Sequence, residues 1–272
     1  MNLNYYVVDA FADGPFTGNP AGVCVLENPL TEVQMQQIAA QNNLAETAFV
    51  IPLCGGVAHS DGVVLQENDY DLRWFTPVTE INLCGHATLA TAFVLHKFFA
   101  PNMGEFRFHS KSGLLTVTPK GDLYELDFPA WPAEQMEITP LMQQAIGCEV
   151  SQAYASRDLF LIVKDQATVQ TIKPDFVALA ALHSHAVAVT APGESADFVS
   201  RFFAPNVGIA EDHVTGSLHS QLIPFWAQQL GKNTLVAKQL SQRGGTLYCD
   251  YLGERVKIAG RAKLYLTGEL YV

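Results

Sequence analysis

The sequence predicts an α+β chain of two pseudo-symmetric lobes, each a set of strands with one long apolar helix as its buried spine. Three observations support that expectation. A stretch near residue 70 returns near residue 200, each copy runs into a long apolar helical pattern, and short strand-like segments fill most of the rest. In the first observation, "DYDLRWFTPVTEI" (69–81) resembles "ADFVSRFFAPNVGI" (196–209). Arg73, Phe75, Pro77 and Ile81 match Arg201, Phe203, Pro205 and Ile209 at one constant offset; three residues are then inserted and Gly85 aligns with Gly216. The helical patterns that follow, "GHATLATAFVLHKFF" and "GSLHSQLIPFWAQQL", align Ala92, Leu95 and Phe99 with Ile223, Trp226 and Leu230 at helical spacing. Both are apolar on most faces, as a buried spine requires.

Earlier segments echo too. "LTEVQMQQIA" (30–39) resembles "ITPLMQQAIG" (138–147), each reading as an amphipathic helix opened by a threonine N-cap and followed by a short strand, "TAFVIP" (47–52) or "DLFLIV" (158–163). In this alignment Glu46 lies opposite Arg157 or Asp158. Two copies are too few for a solenoid and suit a duplicated pair of lobes with a cleft between them. Further strands are expected at 5–11, 21–27, 71–77, 105–110, 114–120, 123–129, 186–192, 255–260 and 263–270, with tight turns at "KGD" (120–122) and "RGG" (243–245). The stretch 119–129 serves as the linker.

Composition limits the function classes. Of 272 residues, 49% are apolar and 16% charged, so a packed core is expected. Sixteen basic against 27 acidic residues give a formal charge of −11 with no basic cluster, which leaves a nucleic-acid backbone no landing surface. The N-terminus reads as a first strand rather than a signal peptide. The most apolar helix is interrupted by His96 and Lys97 and too short to span a bilayer. Five scattered cysteines (24, 54, 84, 148 and 249) show no paired spacing, so a reduced cytoplasmic setting is expected. Symmetric assemblies being common, a homodimer is a reasonable expectation.

Reactive residue types gather where the two spines start: Asn82, Cys84 and His86 before and within the first, Glu211, Asp212, His213, Thr215 and Ser217 around the second. Capping is the simpler account of Asp212, Thr215 or Asn82 taken singly. Clusters at both repeated positions favour a site. Free N–H groups and the helix dipole make each start a place for an anion such as a carboxylate, and both starts can face one cleft.

These residues also carry a resemblance. "VDAFADGPFTGNPAGV", "NNLAETAFV", "FTPVTEINLCGHATLAT" and "EDHVTGS" resemble the signature segments of the phenazine-biosynthesis PhzF-like family, in the same order and over nearly the whole chain. The resemblance implies a diaminopimelate-epimerase-like fold, in which each lobe wraps a mixed sheet or barrel around a central helix and the last strand returns to the first lobe. The expected lobes are then 1–118 with 262–272, and 119–261. It implies that Glu46 is the acid/base residue and that His86 and Asp212 assist it. Asn19, Cys84, Gly85, Thr215, Gly216 and Ser217 are the candidates for holding the substrate. It further implies an isomerase that moves a proton on a small carboxylate-bearing substrate without a cofactor. Epimerases of this fold use two opposed cysteines. Cys84 occupies the first such position, but the second half offers His213 and Val214, which favours a one-carboxylate shuttle. On the base rate for glutamate alone Glu46 would be an exposed acid; the resemblance reverses that, and apolar strand neighbours favour the proton-bearing form of a carboxyl group.

Competing signals remain beside this reading. Cys84 is either a thiolate activated by a helix start or a small buried hydrophobe. His183 and His185 would share a strand face, but no third metal ligand follows, so a polar loop entering a strand is favoured and no metal site is expected. Asp212, Ser217 and His219 suggest a hydrolase triad, yet Ser217 and His219 diverge on one helix. "GGVAHSDGV" (55–63) reads as a loop, not a phosphate cradle. Pro224 should bend the second spine and free a carbonyl one turn back. Trp74, Phe202 and Phe203 read as core. A hydrolase or lyase using His86 with Asp212, and a binding protein without turnover, are the alternatives.

Overall fold

The computed structural model describes residues 2–53 and 65–272; the loop expected at 55–63 lies outside them. The chain forms two units, one of Met1–Pro15, Pro20–Asp127 and Ala259–Val272, the other of Phe16–Asn19 and Phe128–Ile258. In chain order the first stretch supplies β1 (Asn2–Ala10), β2 (Asn19–Val25), α1 (Glu32–Asn42), β3 (Glu46–Pro52), β4 (Asp69–Phe75), β5 (Glu80–Ile81), α2 (Gly85–Phe98), β6 (Phe106–Ser110), β7 (Gly113–Lys120) and β8 (Leu123–Pro129). Next come β9 (Glu134–Met136), α3 (Pro140–Ile146), β10 (Gln152–Ala155), β11 (Leu159–Ile162), α4 (Gln166–Thr171), α5 (Phe176–Ala180), β12 (Val187–Pro192) and β13 (Phe198–Ala204). A 3-10 turn (Pro205–Val207), β14 (Ile209–Asp212), α6 (Gly216–Leu230), β15 (Thr234–Gln239), β16 (Gly245–Tyr251) and β17 (Arg255–Tyr271) complete the chain.

In the first unit β1 lies between β2 and β17, β2 runs parallel to β3, β3 antiparallel to β4, and β4 parallel to β6, which continues through β7 to β8. β17 also pairs with β8, closing these eight strands into a barrel. The segments expected as separate strands at 255–260 and 263–270 are one strand, and its register against β1 shifts between Val7 and Val8. The unit crossing falls after Asp127, further along than 118/119, because β7 and β8 form one hairpin with Gly121 in the left-handed region at its turn. The second unit repeats the order: β10 antiparallel to β11, β11 parallel to β12, β12 antiparallel to β13, β13 parallel to β15, and β15 antiparallel to β16.

Registers correct the sequence alignment of the halves. Thr47 pairs with Phe75 as Val187 pairs with Phe203, so β3 corresponds to β12 and Glu46 to Ala186. The match of β3 with residues 158–163 fails because β11 occupies the place of β2, beside a parallel neighbour. α3 therefore has no counterpart in α1; α4 and α5, between β11 and β12, take that place. The inserted residues form the 3-10 turn before β14, so Ile81 corresponds to Asp212 rather than Ile209: Trp74 pairs with Ile81 as Phe202 pairs with Asp212.

α2 is buried at every position from Gly85 to Leu95, and α6 at Gly216, from Leu218 to Pro224, and at Trp226 and Ala227. Thr88 and Thr91 survive in this apolar setting because their hydroxyls donate to the carbonyls of Cys84 (2.6 Å) and Ala87 (2.7 Å) one turn back. Pro224 frees the carbonyl of Ser220, which instead accepts the N–H of Trp131 at 2.8 Å. Thr31 and Thr139 cap α1 and α3 as expected, the first through a reciprocal capping box with Gln34. Among the described residues no helix is long and apolar enough to cross a membrane.

Each spine follows a hairpin pinned by the same clamp. Arg73 on β4 donates Nε and a terminal nitrogen to Glu80 on β5 (2.8 and 2.7 Å), and Arg201 on β13 does the same to Glu211 on β14 (2.7 and 2.9 Å). Each guanidinium also lies over the phenylalanine two residues on, 5.2 Å above Phe75 and 5.0 Å above Phe203. Each reaches a peripheral helix as well: Arg73 bonds Glu32 in the first turn of α1, and Arg201 bonds the carbonyls of Val169 and Ile172 at the end of α4. Hydrogen bonding to Arg73, against the opposing effect of burial, holds the Glu80 carboxyl below its ordinary range. Such forked contacts fit guanidinium and not ammonium. Replacing Arg201 by Ala strands Glu211 beside an apolar ring and is expected to cost about 2–3 kcal/mol of unfolding free energy. Denaturant melts measure this, and a loss within error of zero would remove the clamp as a structural element.

Candidate functional site

The first unit gathers its reactive residues where β3 and α2 begin. Glu46 is the first residue of β3, and its pairing beside Ala21 on β2 sets its side chain among apolar strand neighbours. Only 6% of its surface is accessible, so the exposed-acid account does not describe it. His86, the second residue of α2, is equally buried, and its Nε2 stands 3.0 Å from Oε2 of Glu46. That oxygen is buried and its approach to the ring falls outside ideal hydrogen-bond geometry, so the contact is mainly an ion pair with a weaker hydrogen-bond component. Cys84 is the N-cap residue of α2 and its Sγ lies 3.5 Å from Nδ1 and 3.9 Å from Nε2 of His86.

Burial opposes charge on the His86 ring, but the Cys84 sulfur and the Glu46 carboxylate beside it more than reverse this. The imidazolium persists well above the usual histidine value. Burial pushes the Cys84 thiol up; His86 opposes the rise and Glu46 adds to it. Burial thus opposes the activated-thiolate account of Cys84 and sides with the small buried hydrophobe. The carboxylate oxygen, ring nitrogen and sulfur lie within 4.8 Å of one another, a donor set able to hold a metal ion. Sequence spacing concealed it, since Glu46 comes from a distant strand.

The second unit builds a hydrogen-bonded cluster at the start of α6. Asp212, at the end of β14, accepts from Asn19 Nδ2 at 2.8 Å and from Thr215 Oγ1 at 2.5 Å. Asn19 also donates to the carbonyl of Val214 at 2.9 Å. It reaches this unit because Gly18 N–H bonds the carbonyl of Gly244 and Arg243 Nε bonds that of Gly18. Gln239, not singled out from the sequence, is fully buried and joins the cluster. Its Oε1 accepts from Thr215 N at 2.9 Å, and its Nε2 donates to Asp212 O and Thr215 Oγ1. The available signal was a glutamine at an inward position of "TLVAKQ".

The capping account fails at both spines. Cys84 and Thr215 are the N-cap residues, and neither side chain bonds a helix N–H. By contrast α1, α3, α4 and α5 are capped by Thr31, Thr139, Asp165 and Asp175. Gly85 and Gly216 are buried at the uncapped starts, and Ser217 is half-buried one residue on.

Other sequence candidates resolve as structure. His219 donates Nδ1–H to the Thr215 carbonyl at 2.7 Å and packs against Phe198; burial, opposed by that bond, pushes its pKa down to about 4, so it is a neutral core residue outside any triad. His183 sits in a left-handed turn, and His185 bonds the buried Asp158, which Gln221 also contacts. These two are loop residues preceding β12, as favoured from the sequence. Trp74, Phe202 and Phe203 lie in the core. A surface cavity of about 600 Å³ is lined by Tyr154, Phe225, Gln228 and Tyr251 among others, at the end of α6 far from Gly216.

Residues 8–268 match the family model described as phenazine biosynthesis-like protein, PhzC-PhzF. An uncharacterized isomerase of Pseudomonas aeruginosa is 45% identical over 272 residues, covering all of both chains. The crystal structure of a phenazine biosynthesis protein of the PhzF family from Enterococcus faecalis is 49% identical, with a TM-score of 0.93 and full coverage of both chains. A hydroxyproline epimerase from Agrobacterium vitis is 9% identical with a TM-score of 0.64, covering 99% of this chain and 92% of that one. This last likeness concerns the fold alone and establishes the epimerase-like architecture implied by the resemblance.

The raised His86 pKa has a definite sign for stability. Its contribution is complete below the ordinary value of 6.5 and is lost as pH rises through the higher folded value. In NMR titrations the His86 ring should therefore stay protonated through neutral pH, and Glu46→Gln should move its titration to lower pH. Identical midpoints in the two proteins would show that the carboxylate does not act on the ring.

Proposed function

The chain belongs to the phenazine biosynthesis-like PhzC-PhzF family, and from that premise we propose that it is an isomerase moving a proton between carbons of a small carboxylate-bearing substrate. The observation that carries this reading is the buried contact of Glu46 with His86 at 3.0 Å. Glu46 takes a proton from an activated carbon, leaving the electron pair conjugated with the substrate's unsaturation, and returns it at another carbon. Substrate and product are isomers, and no proton is consumed. His86, cationic beside it, compensates the carboxylate's charge and offers a second proton position. Burial of both groups slows exchange of the carried proton with water without stopping it, so a fraction of turnovers returns a proton drawn from solvent.

The uncapped N–H groups of α2 suit the substrate's carboxylate, since a helix start favours an anion without lysine or arginine. Gly85 admits close approach there, and Cys84 flanks it. In the second unit, Asn19 and Thr215 hold the Asp212 carboxylate in place, and Gly216 and Ser217 offer a second uncapped start. Within the second unit Asp212 is the candidate for an assisting acid/base group, and Thr215, Gly216 and Ser217 are the candidates for holding polar groups of a ligand.

The test is solvent-deuterium incorporation into a panel of unsaturated carboxylic acids, read by mass spectrometry and NMR. The native protein should exchange one carbon-bound hydrogen and yield an isomer of unchanged formula. Glu46→Gln should lower that rate by about 100- to 10,000-fold in a protein that still folds, as its circular dichroism spectrum reports. Release of a smaller product would replace this reading with a hydrolase or lyase. Saturable binding without exchange would replace it with a binding protein, and a Glu46→Gln rate near that of the native protein would remove Glu46 from the chemistry.

A further inference from the structure

The geometry points to a second capability of the Glu46–Cys84–His86 cluster: it is a binding site for a thiophilic divalent cation, Zn²⁺, held by one oxygen, one sulfur and one nitrogen. Two independent observations converge on it. The three donors are of the types zinc takes, and all lie within 4.8 Å of one another. In addition, Oε2 of Glu46 is a fully buried carboxylate oxygen that no hydrogen bond of ideal geometry satisfies.

The spacing suits the ion. Donors at ordinary zinc–ligand lengths and a tetrahedral angle stand about 3.3–3.6 Å apart. The Glu46–His86 pair, at 3.0 Å, and the Cys84–His86 pair, at 3.9 Å to the same ring nitrogen, bracket that range. Glu46 comes from the start of a strand while Cys84 and His86 flank the start of one helix, so the three donors reach one point from two elements of the same unit. Three protein donors leave a fourth position for a small ligand. On binding, the thiol and the imidazolium each release a proton to solvent, and no electron changes hands. The bound ion occupies the groups assigned to proton transfer and so silences them. That inhibition rests on the acid/base reading above; the binding itself does not.

The test needs no substrate. Calorimetric titration of the metal-free chain with zinc chloride should show uptake of a single ion, lost in Cys84→Ala and weakened in Glu46→Gln. Co²⁺ in place of Zn²⁺ should give the intense visible bands of a tetrahedral site and a near-ultraviolet thiolate band, both absent in Cys84→Ala. Cys84→Ser gives the same reading should the alanine variant fail to fold. Absence of saturable uptake, or uptake and spectra unaltered by either cysteine substitution, would overturn the assignment whatever the fate of the isomerase reading.

Discussion

The forked arginine–glutamate clamp at the foot of each central helix is the constraint from which both polar clusters follow. A helix buried on nearly every face cannot be aimed by contacts with water, so its direction is set by the chain that leads into it. Arg73 and Arg201 fix that lead by joining adjacent strands, an aromatic ring and a peripheral helix through one planar group. The residues following the clamp enter the helix within a few positions, which places Cys84 and His86 in one unit and Thr215 and Ser217 in the other.

On this duplicated frame the chemistry has diverged. Glu46 corresponds to Ala186, and Ile81 to Asp212. Cys84 and His86 correspond to Thr215 and Ser217 through the aligned Gly85 and Gly216. The first unit carries a carboxylate, an imidazole and a thiol in direct contact, with few hydrogen bonds among them. The second carries a carboxylate locked by an amide and a hydroxyl, with a buried glutamine holding the Asp212 backbone carbonyl and the same hydroxyl. A loosely bonded pair can gain and lose a proton at small structural cost, whereas a fully bonded cluster resists change. The proposed proton-carrying role of the first cluster rests on that difference.

Much of this was legible in the sequence where one stretch of chain decides the outcome. The spines, the threonine caps and the turns at Gly121 and Gly244 are local, and each residue type announces its position. The Arg–Phe–Pro echo was legible because the clamp needs that spacing twice. Other features required strand pairing. The likeness of residues 30–39 and 138–147 is a likeness of helix chemistry, and only the registers show that β3 corresponds to β12. Gln239 and Asn19 gain their meaning from partners far away in the chain, as does the nearness of Glu46 to Cys84 and His86. No periodicity encodes such meetings.

The proline inside α6 has a consequence for assembly of its unit. Its missing amide leaves the Ser220 carbonyl to the N–H of Trp131, a residue preceding every other helix of that unit. Until that segment arrives, the helix has an unsatisfied acceptor in its middle, and it cannot become fully dry. Completion of the spine is therefore coupled to docking of a sequence-distant strand end, so the second unit is built to form cooperatively instead of growing from a helix that is stable by itself.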